Sequence, residues 1–293
     1  MNSILIITYK RENELLETLK CFNGYSGKML EILILDNNQT NNLEQKISNI
    51  FSKENIRIKY YNDGKNYGVC LGRNYLIQKA SGDILITLDD DIEIKEDINM
   101  FILKIEKYFE NEKIGCLAFK IINYYTQKQL RHEIPHGNKK INFDKNLKTY
   151  YFIGAGHAIR KKIYSLIGDY PKDLGIYGGE ERDLAFRILE SGYEILYTVD
   201  LLIYHKVALG GRLKVKQKNF YMYRNYLIVF NKYMPNLYCI SANFIWSIYY
   251  IFKLNGKLTE VKETLKLLKK VEKRTISNET LKKIKEMKGR VFY

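Results

Sequence analysis

The chain has 293 residues, 46% of them hydrophobic, with 19 Gly and only 3 Pro, which excludes disordered and collagen-like classes and leaves room for one large domain or two modest ones. Its four cysteines, Cys21, Cys70, Cys116 and Cys239, are scattered without a CxxC pair. That argues against structural zinc and a disulfide framework and fits a reducing cytosol. The net charge of +15 is unevenly placed. Residues 1–200 hold 28 Lys+Arg and 28 Asp+Glu, whereas 201–293 hold 20 Lys+Arg and five Glu, with no acid from Leu201 to Thr259. A neutral front and a basic rear suit an anionic substrate, an anionic membrane or nucleic acid as partner of the rear.

In chain order, SILIITY (3–9) has the composition of a strand and follows a start without basic residues, so no signal peptide is expected. ENELLETLKCF (12–22) has a helical apolar period, EILILD (31–36) is strand-like, and NLEQKISNIF (42–51) helical. IRIKYY (56–61) predicts a strand, GVCLGRNYLIQKA (68–80) a helix, DILITLD (83–89) a strand, DINMFILKIEKYFE (97–110) a helix and IGCLAFKIINY (114–124) a strand. Continuous apolar strands alternating with helices predict an α/β fold, with a mostly parallel sheet covered by helices on both faces. Further on, YYFIGAGHAIRKKIY (150–164) predicts a strand with a Gly-containing turn running into a helix. GGEERDLAFRILESGY (178–193) predicts a helix with acids in its first turn, where they suit the macrodipole, after a permissive IYGG segment (176–179). EILYTVDLLIYHKV (194–207) predicts two short strands around Asp200.

The last part predicts helices: an aromatic-rich one over 218–234 and lysine-rich amphipathic ones over 257–273 and 277–288. Between them, Tyr233 to Phe252 carries no charge. Pro235, Asn236, Ser241 and Asn243 interrupt that run, so a core helix, or one in the membrane interface with Trp246, Tyr249 and Tyr250, is favoured over a span.

The triplet Asp89-Asp90-Asp91 closes an apolar strand, as Asp36 closes another. In open α/β sheets, ligands bind outside the carboxyl ends of strands. Three adjacent like charges there call for a divalent cation, a hard ion that takes oxygen ligands. An EF-hand does not fit, because Ile94 stands where that loop needs glycine, and neither a P-loop nor GxGxxG occurs. A metal held by aspartates is another way to neutralise a diphosphate.

Several motifs occur in a set order: Thr8-Tyr9-Lys10-Arg11 after the first strand, Asp36-Asn37 after the second, NYGVCLGRN (66–74), the Asp triplet, GGEERDLAFRI, and the isolated His205. Over about residues 1–230 this order resembles a family 2 inverting glycosyltransferase of the GT-A fold, of the kind that builds bacterial surface polysaccharide with rhamnosyl or galactosyl donors. The resemblance implies a GT-A domain over 1–215, with a nucleotide-sugar half (1–125) and an acceptor half (126–215), then a helical, basic, aromatic region over 216–293. It implies that Thr8, Tyr9 and Arg11 line the nucleotide pocket, that Asp36 binds the base, and that Arg73 approaches the diphosphate or ribose. It places Asp89 and Asp90 on the donor side, and Asp91, with His205 and Asp89, on Mn2+ or Mg2+, a site that mixed carboxylate and imidazole donors suit.

The family's Gly-Glu-Asp-x-Asp-Leu corresponds here to Gly179-Glu180-Glu181-Arg182-Asp183-Leu184. Glu181 therefore takes the place of the catalytic base, as glutamate rather than aspartate, and Glu180 is the alternative base. The Gly154-Ala155-Gly156-His157 turn would lie near the acceptor sugar or be purely structural. The implied partners are a nucleotide-sugar donor, UDP- or dTDP-linked, and a glycan or lipid-linked glycan acceptor. The implied location is cytoplasmic, peripheral on the inner face of the membrane, where each basic residue near anionic lipid is worth ~1 kcal/mol. No nucleic-acid module is recognisable. The alternatives are a sugar nucleotidyltransferase, for which ITYKRENELL lacks the glycine-rich triphosphate loop, and a basic protein that binds nucleic acid or an anionic surface without transferase activity. The C-terminal helices could equally pair protomers into an oligomer.

Overall fold

A computed structural model describes residues 1–39, 43–51, 54–175, 177–208, 210 and 213–291. In chain order the elements are β1 (Asn2–Thr8), α1 (Glu12–Lys20), β2 (Leu30–Asp36), α2 (Leu43–Ser48), β3 (Ile56–Tyr61), α3 (Gly68–Lys79), β4 (Ile84–Asp89), β5 (Ile92–Glu93), α4 (Ile98–Tyr108) and β6 (Ile114–Asn123). A 3₁₀ turn over Arg131–Glu133 follows, then β7 (Leu147–Thr149), β8 (Gly156–Arg160), α5 (Lys161–Ile167), α6 (Glu180–Glu190), β9 (Glu194–His205), α7 (Val215–Tyr233), α8 (Asn236–Leu254), α9 (Leu258–Leu268) and α10 (Asn278–Glu286).

The strands form one sheet in the order β3-β2-β1-β4-β8-β6-β9-β5, with β7 also paired to β9. The β3-β2-β1-β4 half is wholly parallel, as the alternation of strands and helices predicted. Beyond β4 the sheet is mixed: β8 runs antiparallel between β4 and β6, while β6 and β9 are parallel. The parallel strands are apolar on both faces because both faces are covered. Leu5, Leu33, Leu35 and Leu85 point into one core with residues of α3, α6 and α7, and Ile4, Ile6, Ile32, Ile34 and Ile86 into the other with α1 and α4. Helix α4 shows the logic of the covering layer. Asp97 caps it by accepting from the Asn99 and Met100 amides, and Ile98, Phe101, Ile102 and Ile105 bury one stripe at helical spacing.

Two expectations change. The two short strands around Asp200 are one strand, β9, which pairs with β6 on both sides of the interruption. The register jumps from Phe119↔Thr198 to Lys120↔Leu202, so residues 199–201 bulge outward. There Asp200 accepts from Tyr108 Oη at 2.5 Å. The basic helical region, present as expected, packs onto the sheet domain: Leu227, Phe230, Val261 and Ile284 belong to the same cluster as Leu184 and Phe186 of α6. The uncharged run beginning at Tyr233 becomes α8, packed on α7 along one side only. Of the residues read as interface anchors there, Tyr250 is buried and stacks on Tyr223, ring centroids 4.2 Å apart. Of the expected segments, Asn42 and Ile176 lie outside the described residues.

Candidate active site

The Asp triplet lies where β4 ends and the chain turns into the two-residue β5. β5 pairs antiparallel with the end of β9, setting Ile92 against His205. This one pairing closes more than a hundred residues of chain and brings His205 onto the aspartates. His205 Nε2 is 3.2 Å from Asp91 Oδ1 and 3.9 Å from Asp89 Oδ2. One ligand atom from each of Asp89, Asp91 and His205 falls within 4.8 Å of the others, the cluster of metal-type donors found among the described residues. Two carboxylates and an imidazole suit a divalent cation with hard to borderline preference.

Successive residues leaving a strand face opposite ways, and that alternation divides the triplet. Asp89 and Asp91 share the cleft side. Asp90, expected on the donor side, is buried against Arg11 and α1. Its Oδ1 takes Arg11 Nη1 at 2.7 Å, and its backbone oxygen accepts from Thr18 Oγ1 on α1. Burial pushes the Asp90 carboxyl up to about 7, against the pull of Arg11. Arg11 also stands 3.4 Å from Asp91 and donates through Nε to Gly210 O, so it braces the aspartates against the segment after β9.

Asp91 is the best-held member. Its Oδ2 accepts from the Ala208 amide and its backbone oxygen from the Lys206 amide. Between these two donors Val207 sits at φ 55°, a left-handed conformation that costs a β-branched residue energy. Both amides thus converge on one aspartate at the expense of backbone strain. Burial raises the Asp91 carboxyl, but His205 and Arg11 outweigh it and the net shift is downward. Crowding into the cleft floor and the Asp91 charge raise Asp89, although 38% of its side chain meets solvent, which tempers the first cause.

Sequence reasoning missed Glu133. It is buried in the 3₁₀ turn, and its Oε1 is 2.8 Å from His205 Nδ1. With Nδ1 occupied there, Nε2 is the nitrogen presented to Asp89 and Asp91. Burial would lower the His205 pKa, but Asp91 and Glu133 together raise it to about 10. The imidazolium proton therefore stands where a bound cation's charge would.

Thr8 is buried at the end of β1, opposite Asp36 in register, and its carbonyl accepts from the Asn37 amide. Tyr9 is half-buried under Lys10, whose Nζ is 5.2 Å from the ring centre. Asp36 is fully buried; Oδ1 accepts from the Asn38 amide and side chain, and Oδ2 from Tyr60 Oη at 2.7 Å. Tyr60 is the second residue the sequence did not single out. Burial and the Asp36 charge raise its hydroxyl pKa, so it stays a donor. A hollow of about 170 Å³, lined by Leu35, Tyr60, Tyr61, Asn62, Asp63 and Tyr75, opens next to it.

The acid pair opens α6. Gly178 and Gly179 have φ of 83° and 93°, and this left-handed pair turns the chain into the helix. Glu180 is almost fully buried, while Glu181 keeps 18% of its side chain exposed. Arg73 from α3 was expected toward the diphosphate or ribose. Its partners within the chain are the two acids and the turn: Nη1 is 2.9 Å from Glu181 Oε1 and 3.7 Å from Glu180 Oε1, and Nη2 donates to Gly154 O. Burial and the adjacent Glu181 push the Glu180 carboxyl up to about 8, against Arg73. Asp183 is spent structurally, pairing with Arg187 at 2.8 Å and Lys232 of α7 at 2.9 Å.

The Gly154–Gly156 turn joins the two acidic clusters. The Asp89 amide donates to Ala155 O, which seats the turn against the end of β4. A Cβ on Gly154 would stand 2.3 Å from Glu181 Oε1 and 2.6 Å from Arg73 Nη2, so any side chain there would push the ends of the acid and the arginine aside. His157 is fully buried, with Nε2 2.8 Å from Tyr170 Oη, and burial drives its pKa well down.

Two acidic clusters thus meet at the carboxyl end of β4, joined by the Gly154–Gly156 turn: one of metal-type donors, the other an acid pair held by arginine. Residues 3–168, more than half of the chain, match the family profile described as glycosyl transferase family 2. The chain belongs to glycosyl transferase family 2. An uncharacterized protein of Haemophilus influenzae is 55% identical over 173 residues, which are 58% of this chain and 93% of that one. The GalNAc(5)-diNAcBac-PP-undecaprenol beta-1,3-glucosyltransferase of Campylobacter jejuni is 30% identical over 93 residues, about a third of either chain (31% and 30%). Among solved structures, a mannosyltransferase of Pyrobaculum calidifontis in complex with GDP-Man and Mn2+ superposes with a TM-score of 0.59 at 13% identity, covering 97% of this chain and 78% of that one. That likeness shows the same GT-A-like fold. The protein is a glycosyltransferase with a metal-compatible Asp-His site.

Proposed function

We propose that this glycosyltransferase is an inverting enzyme that moves a sugar from a UDP- or dTDP-linked donor to a hydroxyl of a glycan or lipid-linked glycan. The observation that carries the reading is the contiguity of the two clusters through the Gly154–Gly156 turn, which sets a carboxylate pair across from the Asp89–Asp91–His205 donors. Asp89, Asp91 and His205 would hold Mn2+ or Mg2+. When bound, such an ion supplies positive charge for the diphosphate. The acidic residues of the chain do the rest. Glu181, the more open of the pair, is oriented by Arg73 through Oε1. In the proposed step the acceptor oxygen forms a bond to the anomeric carbon and gives its proton to Glu181. The bond from that carbon to the diphosphate oxygen breaks, and the electron pair leaves with the nucleoside diphosphate. Glu180 is the deeper, proton-retaining neighbour and serves as a hydrogen-bonding partner to the acceptor.

The acceptor class and the location belong to the same proposal: surface-polysaccharide assembly at the inner face of the cell membrane. The acid-free stretch from Leu201 to Thr259 supports it, as does the Campylobacter relative, a glucosyltransferase named for GalNAc(5)-diNAcBac-PP-undecaprenol. The test is thermal stabilisation by UDP, GDP and dTDP, each with and without Mn2+. A ligand that binds only the native state raises the melting temperature. Stabilisation by UDP or dTDP that requires metal is expected. Stabilisation by GDP alone would overturn the donor class, and no response to any nucleotide would overturn the donor site.

A further inference from the structure

We propose that α8 lies flat on an anionic bilayer, its outward stripe sunk among the lipid chains. Leu237, Ile240, Phe244, Ile248 and Phe252 recur at steps of three and four residues, so they share one helix face. They are exposed by 42–75%, unusual for five large apolar side chains in a row.

The helix cannot turn on end to cross the membrane without leaving the protein, because its other face is bonded to α7. Tyr223 Oη lies 2.8 Å from Ser247 Oγ, Asn231 Nδ2 donates to Asn243 Oδ1 at 2.7 Å, and Tyr223 stacks on Tyr250. A helix amphipathic in this way belongs in the plane of the interface.

Charge chooses the occupant. From Leu201 to Thr259 there are nine Lys and Arg and no acid. Exposed Lys253 and Lys257 sit at one end of the stripe, and Lys216 lies close enough to act on Glu260. Glu260, the first acid met, is engaged by Tyr250 Oη and the Lys257 amide. A second copy of this chain would bring lysine against lysine, whereas anionic headgroups complement the rim. The structure also ties this surface to the acid pair. Asn225 of α7 donates to the carbonyls of Leu174, Tyr177 and Gly178, fixing the loop that leads into Glu180 and Glu181, and Lys232 pairs with Asp183. A docked hairpin would therefore present the cleft to an acceptor held in the same membrane; this consequence rests on the transfer reading above, and the docking does not.

The test is flotation with phosphatidylcholine vesicles, with and without phosphatidylglycerol, in low and high salt. The wild-type chain is compared with the triple variant Ile240→Ser, Phe244→Ser, Phe252→Ser. These side chains face solvent, so the variant should keep its melting temperature and its nucleotide-sugar hydrolysis, which serve as fold controls. The expected result is wild-type flotation with the anionic vesicles that persists in high salt, and a roughly tenfold or greater loss in the variant. Equal flotation of the variant would overturn the proposal, as would complete release of the wild type by salt, which would leave only the lysines. A wild-type dimer that ignores vesicles and splits in the variant would assign the face to a second copy and overturn it too. Docking by a protein with no nucleotide-sugar turnover would support the proposal while removing the transfer reading.

Discussion

Two pairs of carboxylates border one cleft, and the partner that neutralises each makes them different. Asp89 and Asp91 face an imidazole, His205, held from behind by Glu133. Glu180 and Glu181 face a guanidinium, Arg73. An imidazolium can release its proton and become a metal ligand; a guanidinium cannot. The first cluster can exchange its counter-charge for a divalent ion. The second keeps its counter-charge and remains available to a substrate proton. Similar acidity in the sequence thus becomes two chemistries, chosen by one long-range contact each.

The contrast can be broken from either side. The largest effect is expected from Asp91→Asn, which removes the best-held ligand. Metal-dependent nucleotide stabilisation should vanish and transfer should fall by several orders of magnitude; wild-type metal dependence in a melting assay would end the metal role of this cluster. Glu181→Gln should lose roughly 10²–10⁴-fold in transfer rate while keeping metal-dependent donor stabilisation. If it transfers at full rate, the base is Glu180 or lies elsewhere. Glu133→Gln sharpens the comparison by testing the support rather than the ligands. Mn2+ affinity, measured by calorimetry, should drop about 10–100-fold, and an unchanged constant would mean that His205 is oriented without it.

Gly154→Ala probes the joint between the clusters. A methyl in that space forces Glu181 or Arg73 to move, for a cost of about 1–3 kcal/mol in denaturant unfolding and a loss of transfer. Unaltered stability would show that the turn yields freely. The smallest effect is pH-dependent. The Glu180 carboxyl rises from 4.5 to about 8 on folding, so the native state favours its protonated form. That contribution is complete below the unfolded value and is lost as pH climbs through about 8. Glu180→Gln removes the titration. Its melting temperature should gain on the wild type between pH 5 and pH 9, by an amount worth roughly 1–3 kcal/mol. A gap that stays constant with pH would contradict the buried, protonated Glu180.

Much of this was legible in the chain. The strands and helices of the parallel half follow from apolar runs and helical periods, and a strand-terminal Asp triplet pointed to a cluster of metal-type donors. What stayed hidden depends on distance. Glu133 lies in a segment without periodicity, beside His132, and nothing in its neighbours singles it out; only the fold sets it 2.8 Å from His205, 72 residues away. Arg73 was placed on the donor side by family order, yet its side chain is closed between Glu181 and the Gly154 carbonyl. Asp90 shows the local limit. Three identical neighbours cannot be ranked by type, and the pleat, together with Arg11, removes the middle one from the cleft.

By itself, then, the sequence determined the alternation that builds the sheet, the acid-rich strand ends and the basic, aromatic rear, because burial and charge patterning are properties of short windows. The tertiary structure alone decided which aspartates share a face, which cation answers each acid pair, and which side of α8 meets solvent. Those outcomes rest on the β5–β9 pairing, on the approach of α3 to α6 and on the α7–α8 packing, each a contact between segments that no short window contains.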